Sequence, residues 1–268
     1  MSLVYKIVKY PFFSSYQVNW KWPKAYERKS EWQPVKFQSQ SKSTLAGLWS
    51  NSSSADVKGT IVLGHPLLKS FKGFFLANGF ADQLRQAGYH VLVFDFNGFG
   101  DSTQGNFLYP KDVIAAGNYA SKRIPDIPVY YIGVSFGAGY GLCALSEPNS
   151  PYQAAILESP FYSLENYWQF FPVAKKALGF FKVVTPKTYN ALSPNVLVKN
   201  INEQTKKLVI LGSMNDKYSP SNLNQTLADR CNIESEFIEY EDCKHARISS
   251  TRPRDYMKII SHAFSEGN

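Results

Sequence analysis

The sequence predicts an α/β fold with a mostly parallel central sheet of about eight strands, helices on both faces and a small inserted cap. Three observations predict it. From Gly59 onward, short apolar runs alternate with longer amphipathic stretches, the pattern of strands joined by crossover helices. A serine flanked by glycines falls between one of those runs and a stretch of small residues. About fifty residues rich in aromatics separate two later runs, far more than the roughly dozen a plain crossover needs.

The first thirty or so residues include Tyr10-Pro11-Phe12-Phe13 and Trp20-Lys21-Trp22-Pro23 and show neither helical nor strand periodicity. Residues 1–34 are therefore expected to be an extension held on the domain by its aromatics. Pro34–Phe37 and Leu45–Trp49 are strand-like runs separated by polar residues, which predicts an antiparallel start to the sheet. Asn51–Ser54 is a loop. The later runs are Thr60–Leu63, Val91–Phe94, Val129–Ile132, Ala154–Leu157, Leu208–Leu211 and Phe237–Tyr240. Being apolar nearly throughout, they are expected to be central strands covered on both faces. Phe74–Ala87 reads as one helix closed by Gly88, a residue that can take the left-handed conformation at a helix end. Lys111–Lys122 reads as another, with Asp112 favourable near its N-terminus. The long interval carries Phe161, Tyr162, Tyr167, Trp168, Phe170, Phe171, Phe180 and Phe181. It predicts a cap over 160–205 of one or two short helices, overhanging the strand ends where open α/β sheets bind ligands. A final helix is expected from about Ser249 to Phe264.

At 268 residues the chain is expected to form one domain. Its 17 Tyr and 19 Phe supply rings that can line a pocket. The formal charge of +8 favours acidic partners. However, the pairs Lys122-Arg123, Lys175-Lys176 and Lys206-Lys207 lie far apart, and there is no zinc-ligand pattern or RNP-like strand. Nucleic acid is therefore not an expected partner. Cys143, Cys231 and Cys243 are odd in number and lack metal-ligand spacing, which predicts idle thiols in a reducing compartment. No apolar run nears the roughly 20 residues of a spanning helix, and the start lacks a signal-peptide pattern, so the expectation is a soluble, cytoplasmic protein. Met1-Ser2-Leu3 and Glu266-Gly267-Asn268 need not be native ends, which leaves a removed targeting segment open.

The segment Ile132-Gly133-Val134-Ser135-Phe136-Gly137-Ala138-Gly139 carries Gly-x-Ser-x-Gly after a strand and before a helix of small residues. Alone, such a glycine pattern is a weak signal. Here its context gives it weight. A sharp strand-to-helix turn forces the serine into a strained backbone, and only small neighbours such as Gly133 and Gly137 let strand and helix approach that closely. The helix N-terminus supplies partial positive charge, and the Phe136 N–H points where an oxyanion would form. Ser135 is the candidate nucleophile.

These residues resemble the α/β-hydrolase superfamily, and the resemblance runs from about Val35 to Phe264. Leu63-Gly64-His65-Pro66-Leu67 is similar to the family's oxyanion loop, with His65-Pro66 where His-Gly is common. Asp95-Phe96-Asn97-Gly98-Phe99-Gly100-Asp101-Ser102 is similar to the family's Asp-x-Arg-Gly-x-Gly-x-Ser stretch, with Asn97 replacing arginine. The resemblance implies an α/β-hydrolase fold and a triad in the order Ser, Asp or Glu, His. Pro66 has no N–H, so the second oxyanion donor is expected from Leu67 beside Phe136. The acid is expected to be Asp216, in the loop after Leu208–Leu211, with Glu158 in Leu157-Glu158-Ser159-Pro160 as reserve. Among the four histidines, only His245 sits in a loop after the last strand. His65 belongs to the oxyanion loop, His90 opens a strand and His262 lies in the last helix.

A serine hydroxyl is a poor nucleophile near neutral pH, so it needs an imidazole to take its proton and a carboxylate to orient that imidazole. The expected activity is cleavage of carboxylic esters through an acyl-serine intermediate, without metal or organic cofactor. The aromatic cap favours an apolar, acyl-bearing substrate. A small-molecule acyl ester or thioester is thus the expected partner. Thioesterase, lipase and peptidase chemistry use the same triad and stay open. So do a non-catalytic ligand-binding member of the fold and a membrane-surface protein. The sequence does not give the oligomeric state.

Overall fold

The computed structural model describes residues 2–13, 16 and 18–265. All the expected strands form: β1 (Gln33–Ser39), β2 (Ser43–Ser50), β3 (Gly59–Gly64), β4 (Tyr89–Phe94), β5 (Val129–Val134), β6 (Ala154–Glu158), β7 (Lys207–Ser213) and β8 (Glu234–Tyr240). They make one sheet in the order β1-β2-β4-β3-β5-β6-β7-β8. The pairs β1–β2 and β2–β4 are antiparallel, as the polar break between the first two runs implies, and the remaining pairs are parallel. This is the α/β-hydrolase fold.

Strand β3 lies between β4 and β5, so the direction of winding reverses about it. Such a switch point opens a crevice at the carboxyl ends of the strands. Gly64 closes β3 level with Gly133 of β5, and Val134 is level with Glu158 of β6.

Positions in β3, β5, β6 and β7 are buried throughout, matching their apolar runs. Strand β8 corrects the expectation of a central strand. It is the sheet edge, with exposed Glu234, Glu236 and Glu239 along it. Charges on an edge strand discourage pairing with another chain, and its apolar residues needed cover on one side only.

Helices cover both faces of the sheet. Helices α4 (Tyr109–Arg123), α5 (Phe136–Leu145) and α10 (Ser221–Asp229) pack with Trp49, Leu92 and Tyr131 on one side. Helices α2 (Phe74–Ala77) and α3 (Phe80–Gln86), with α11 (Ile248–Thr251) and α12 (Pro253–Ser265), pack with Ile61, Val91 and Ile132 on the other. The single helix expected over Phe74–Ala87 is broken at Gly79, whose φ of 71° is left-handed. The helix expected from Ser249 is likewise split, because Pro253 starts a new helix and cannot continue the old one.

Two further expectations are corrected. Residues 1–34 do not lack regular structure: α1 (Ser2–Phe13) is a helix with Pro11 in its last turn. Its aromatics do pack as expected. Phe13 is buried edge-on against Phe99, Tyr109, Phe136 and Trp168. No periodicity marks α1, because Lys9 on it is buried while Ile7 and Tyr10 are exposed. Between β6 and β7 run four short helices rather than one or two: α6 (Leu164–Trp168), α7 (Pro172–Val184), α8 (Pro186–Asn190) and α9 (Pro194–Leu197). A proline opens each of the last three. All three cysteines are free thiols.

Candidate active site

Ser135 sits on the turn between β5 and α5 with φ 52° and ψ −107°, a backbone conformation that a residue with a side chain rarely adopts. The neighbouring glycines show why the turn can close. A Cβ at Gly133 would lie 2.6 Å from the Gly137 carbonyl oxygen, and one at Gly137 would lie 2.1 Å from that of Gly64. The turn is tied down by the Ser135 N–H, which donates to the Glu158 carbonyl at 2.8 Å, and by the Gly139 N–H, which donates to the Ser135 carbonyl at 2.9 Å.

Ser135 Oγ lies 2.8 Å from His245 Nε2, and His245 Nδ1 lies 2.6 Å from Asp216 Oδ2. With its proton on Nδ1, the imidazole donates to the carboxylate and accepts from the serine hydroxyl. The other Asp216 oxygen accepts the N–H groups of Tyr218 and Ser219 at 2.9 and 3.0 Å, so the loop after β7 fixes the carboxylate orientation. Residues separated by over a hundred positions in sequence are thus brought together at the strand ends.

Glu158, the reserve acid, does not bond to the imidazole. It is fully buried, and its Oε1 accepts the Ile248 N–H at 2.9 Å just beyond the histidine loop. Burial pushes its carboxyl up to about 7, partly opposed by that N–H and by the charge of His245. His65 is no base either. It is buried, accepts the Phe96 N–H on Nε2 at 3.2 Å and reaches the Pro66 carbonyl from Nδ1 at 2.8 Å. Burial holds its pKa down to about 3, so it is a neutral brace for the loop after β3. His90 and His262 lie away from the cavity described next.

A cavity of about 260 Å³ opens above Ser135. Its wall includes Pro66, Leu67 and Leu68 of the loop after β3, Tyr167 and Phe171 of the interval between β6 and β7, and Tyr218, His245 and Arg247. The N–H groups of Leu67 and Phe136 have no acceptor among the described residues. Unpaired backbone donors are rare in folded proteins and suit a site where negative charge develops. Among the described residues, no group of His, Cys, Asp and Glu side chains could hold a metal ion.

Several lining residues were not singled out from the sequence as site residues. Tyr167 is buried, its phenol is pushed above its usual range chiefly by that burial, and it lines the cavity beside Ser135. Tyr16 lines the same cavity. Arg247 also lines it and makes no ion pair among the described residues. The departure at Asn97 is compensated at a distance. Asn97 is buried and donates from its side chain to Asp112 at 2.6 Å, and it accepts from Lys9 of α1. Lys9 brings a basic group to the pair, although burial lowers its pKa to about 7 against the opposing effect of Asp112.

Residues 55–208 match the family model described as serine aminopeptidase, S33. The chain is similar to lysophosphatidylserine lipase ABHD12 of Gallus gallus, 30% identical over 135 residues, which are 44% of this chain and 35% of that protein. The Danio rerio relative of the same name is 28% identical over 158 residues, 54% of this chain and 40% of that protein. The chain therefore spans well under half the length of these curated relatives. Among solved structures, it resembles the esterase Pf2001 of Pyrococcus furiosus with a TM-score of 0.71 at 19% identity, covering 93% of this chain and 97% of that one. The acylaminoacyl peptidase of Pyrococcus horikoshii superposes with a TM-score of 0.62 at 16% identity, covering 88% of this chain and 41% of that one. At such identities, the likeness to solved structures is a likeness of fold.

Proposed function

The chain belongs to the serine aminopeptidase S33 family of α/β hydrolases, and from that premise we propose that it cleaves carboxylic esters of apolar acyl groups. Ser135 acts as nucleophile, His245 as general base and acid, and Asp216 as the carboxylate that orients the histidine. The observation that carries this reading is the continuous hydrogen-bonded series at 2.8 and 2.6 Å from Ser135 through His245 to Asp216.

In the first half-reaction, Ser135 Oγ attacks the acyl carbon while His245 Nε2 takes the hydroxyl proton. The carbonyl oxygen becomes an oxyanion facing the N–H groups of Leu67 and Phe136. Collapse breaks the ester C–O bond, and the imidazolium protonates the departing alkoxide. Water then adds to the acyl-serine with the same base, and the carboxylic acid and free serine are released. The Asp216 carboxylate holds the imidazolium in place.

An ester suits the cavity better than a peptide. Leu67, Leu68, Phe171 and the tyrosine rings present mostly carbon, while a peptide substrate needs several polar partners for its amides. A volume of about 260 Å³ is just below the range of about 300–1,000 Å³ typical of drug-sized ligands, which suits one acyl chain of modest length. The unpaired guanidinium of Arg247 favours an anionic leaving portion, such as the phosphate in the relatives' substrate name or the phosphate of a thioester carrier. In this reading residues 1–268 work as one hydrolase domain, with 160–205 as its cap.

A chain-length series of p-nitrophenyl esters, set beside an alanine p-nitroanilide, tests this. The expected result is a maximum at short to medium acyl chains, negligible amide cleavage, and a loss of about a millionfold in kcat for Ser135→Ala. Faster cleavage of the amide than of any ester would overturn the ester assignment.

A further inference from the structure

The cap and the N-terminal helix leave a large apolar surface uncovered. On α7, Val173, Phe180 and Val184 are 67%, 71% and 56% exposed. Their spacing of seven and four residues places them on one stripe of the helix. Val183 flanks that stripe, while Ala174 and Leu178 turn inward and are buried. Helix α1 packs against α7 and adds exposed Ile7 and Tyr10. Phe171, two residues before Val173, is partly exposed and also lines the cavity, so apolar surface extends from the stripe to the mouth of the site. Scattered surface hydrophobics need no explanation, but a stripe of bulky exposed ones along a single helix marks an interaction surface.

The charges around it select the partner. Neither α1 nor α7 contains an acidic residue. Lys175, Lys176 and Lys187 are exposed and make no ion pair among the described residues, whereas Lys182 pairs with Glu165 at 2.7 Å. A second copy of this chain would set these lysines against their equivalents, in a molecule whose formal charge is already +8. Among the described residues, no helix is long and apolar enough to cross a membrane. An amphipathic helix with bulky apolar residues on one face and lysines beside them instead lies in the plane of a lipid interface, its rings at the acyl boundary and its ammonium groups at the phosphates.

We infer that the exposed face of α7, with Ile7 and Tyr10 of α1, docks on an anionic lipid bilayer. Docking brings the mouth of the Ser135 cavity to the surface from which a single-chain acyl lipid can be drawn. That consequence rests on the proposed ester hydrolysis, but the docking does not.

Sedimentation of the full chain with vesicles tests it, using phosphatidylcholine alone and phosphatidylcholine mixed with phosphatidylserine, each at low and high salt. The chain is expected to sediment with the mixed vesicles, and less so at high salt, where exposed charges are screened. Phe180→Ser combined with Val184→Ser should weaken binding by about tenfold or more, since each removes a side chain that the lipid would bury. Lys175→Glu combined with Lys176→Glu should weaken only the phosphatidylserine-dependent part, by about tenfold or more. Both double variants should cleave a soluble short-chain p-nitrophenyl ester at the parent rate, which reports an intact fold and cavity. No binding to either vesicle, unchanged binding by both variants, or a reversible dimer that the Phe180/Val184 variant dissolves would each overturn the inference. Soluble-ester cleavage without vesicle binding removes the docking and leaves the hydrolase, whereas vesicle binding without ester cleavage does the reverse.

Discussion

Glu158 joins two parts of the candidate site. Its carbonyl accepts the Ser135 N–H and its side chain accepts the Ile248 N–H, so one residue ties the serine turn to the segment that carries His245. Its carboxyl is pushed up to about 7 by burial, against about 4.3 in an unfolded chain. The folded state therefore favours the protonated form. Stability from this group is complete below the unfolded value and is lost as pH rises through about 7. Glu158→Gln keeps an acceptor for Ile248 but cannot ionise. In urea denaturation it should match the parent near about pH 4 and exceed it by up to about 4 kcal/mol near about pH 9. A variant less stable than the parent at both pH values would mean that Glu158 serves as a buried anion. At this scale, Ser135, Asp216 and His245 were legible because each stands in a short motif or follows a strand. Tyr16, Tyr167, Arg247 and Lys9 were not legible. A tyrosine among many aromatics or a lysine in an apolar segment gives no local signal, and only the folded chain brings Lys9 to Asn97 across 88 positions.

The turn between β5 and α5 works because backbone meets backbone. Gly137 lies so close to the end of β3 that no side chain fits, and this contact places the Phe136 N–H beside the loop that carries Leu67. Gly137→Ala should therefore lower the melting temperature by several degrees and cut turnover about a hundredfold or more, through loss of oxyanion geometry. Full activity together with parent stability would show that the loop can retreat without cost. Elements were legible to the extent that a local rule determined them. The apolar runs foretold every strand, and their alternation with helical stretches foretold the parallel pairing. The edge position of β8 was missed because Phe237, Ile238 and Tyr240 give the run the look of a covered strand, although Glu239 within it and Glu234 and Glu236 before it are exposed. Helix α1 was missed because its open face carries Ile7 and Tyr10 while Lys9 is buried, which inverts the pattern by which an amphipathic helix is recognised. The breaks at Gly79 and Pro253 were visible as residues, but whether such a residue bends a helix or ends it depends on what packs beside it.

At the scale of the whole molecule, the sheet reverses its winding at β3, and the loops leaving β3, β5, β7 and β8 supply Leu67, Ser135, Asp216 and His245 to one crevice. The segment between β6 and β7 adds Tyr167 and Phe171 from above, and α1 braces that segment against the body through Phe12 and Phe13 on Trp168. The arrangement separates tasks: the sheet holds Ser135, Asp216 and His245 together, while the segment between β6 and β7 closes one side of the cavity and carries the exposed apolar face of α7. The central claim is that Ser135 is an activated nucleophile. Labelling of the purified, folded chain with a fluorophosphonate probe, followed by peptide mapping, tests it most directly. The account predicts modification at Ser135 alone, absent in Ser135→Ala and slowed by several orders of magnitude in His245→Ala. A folded chain that takes up no probe, or one labelled as well in Ser135→Ala as in the parent, would contradict it.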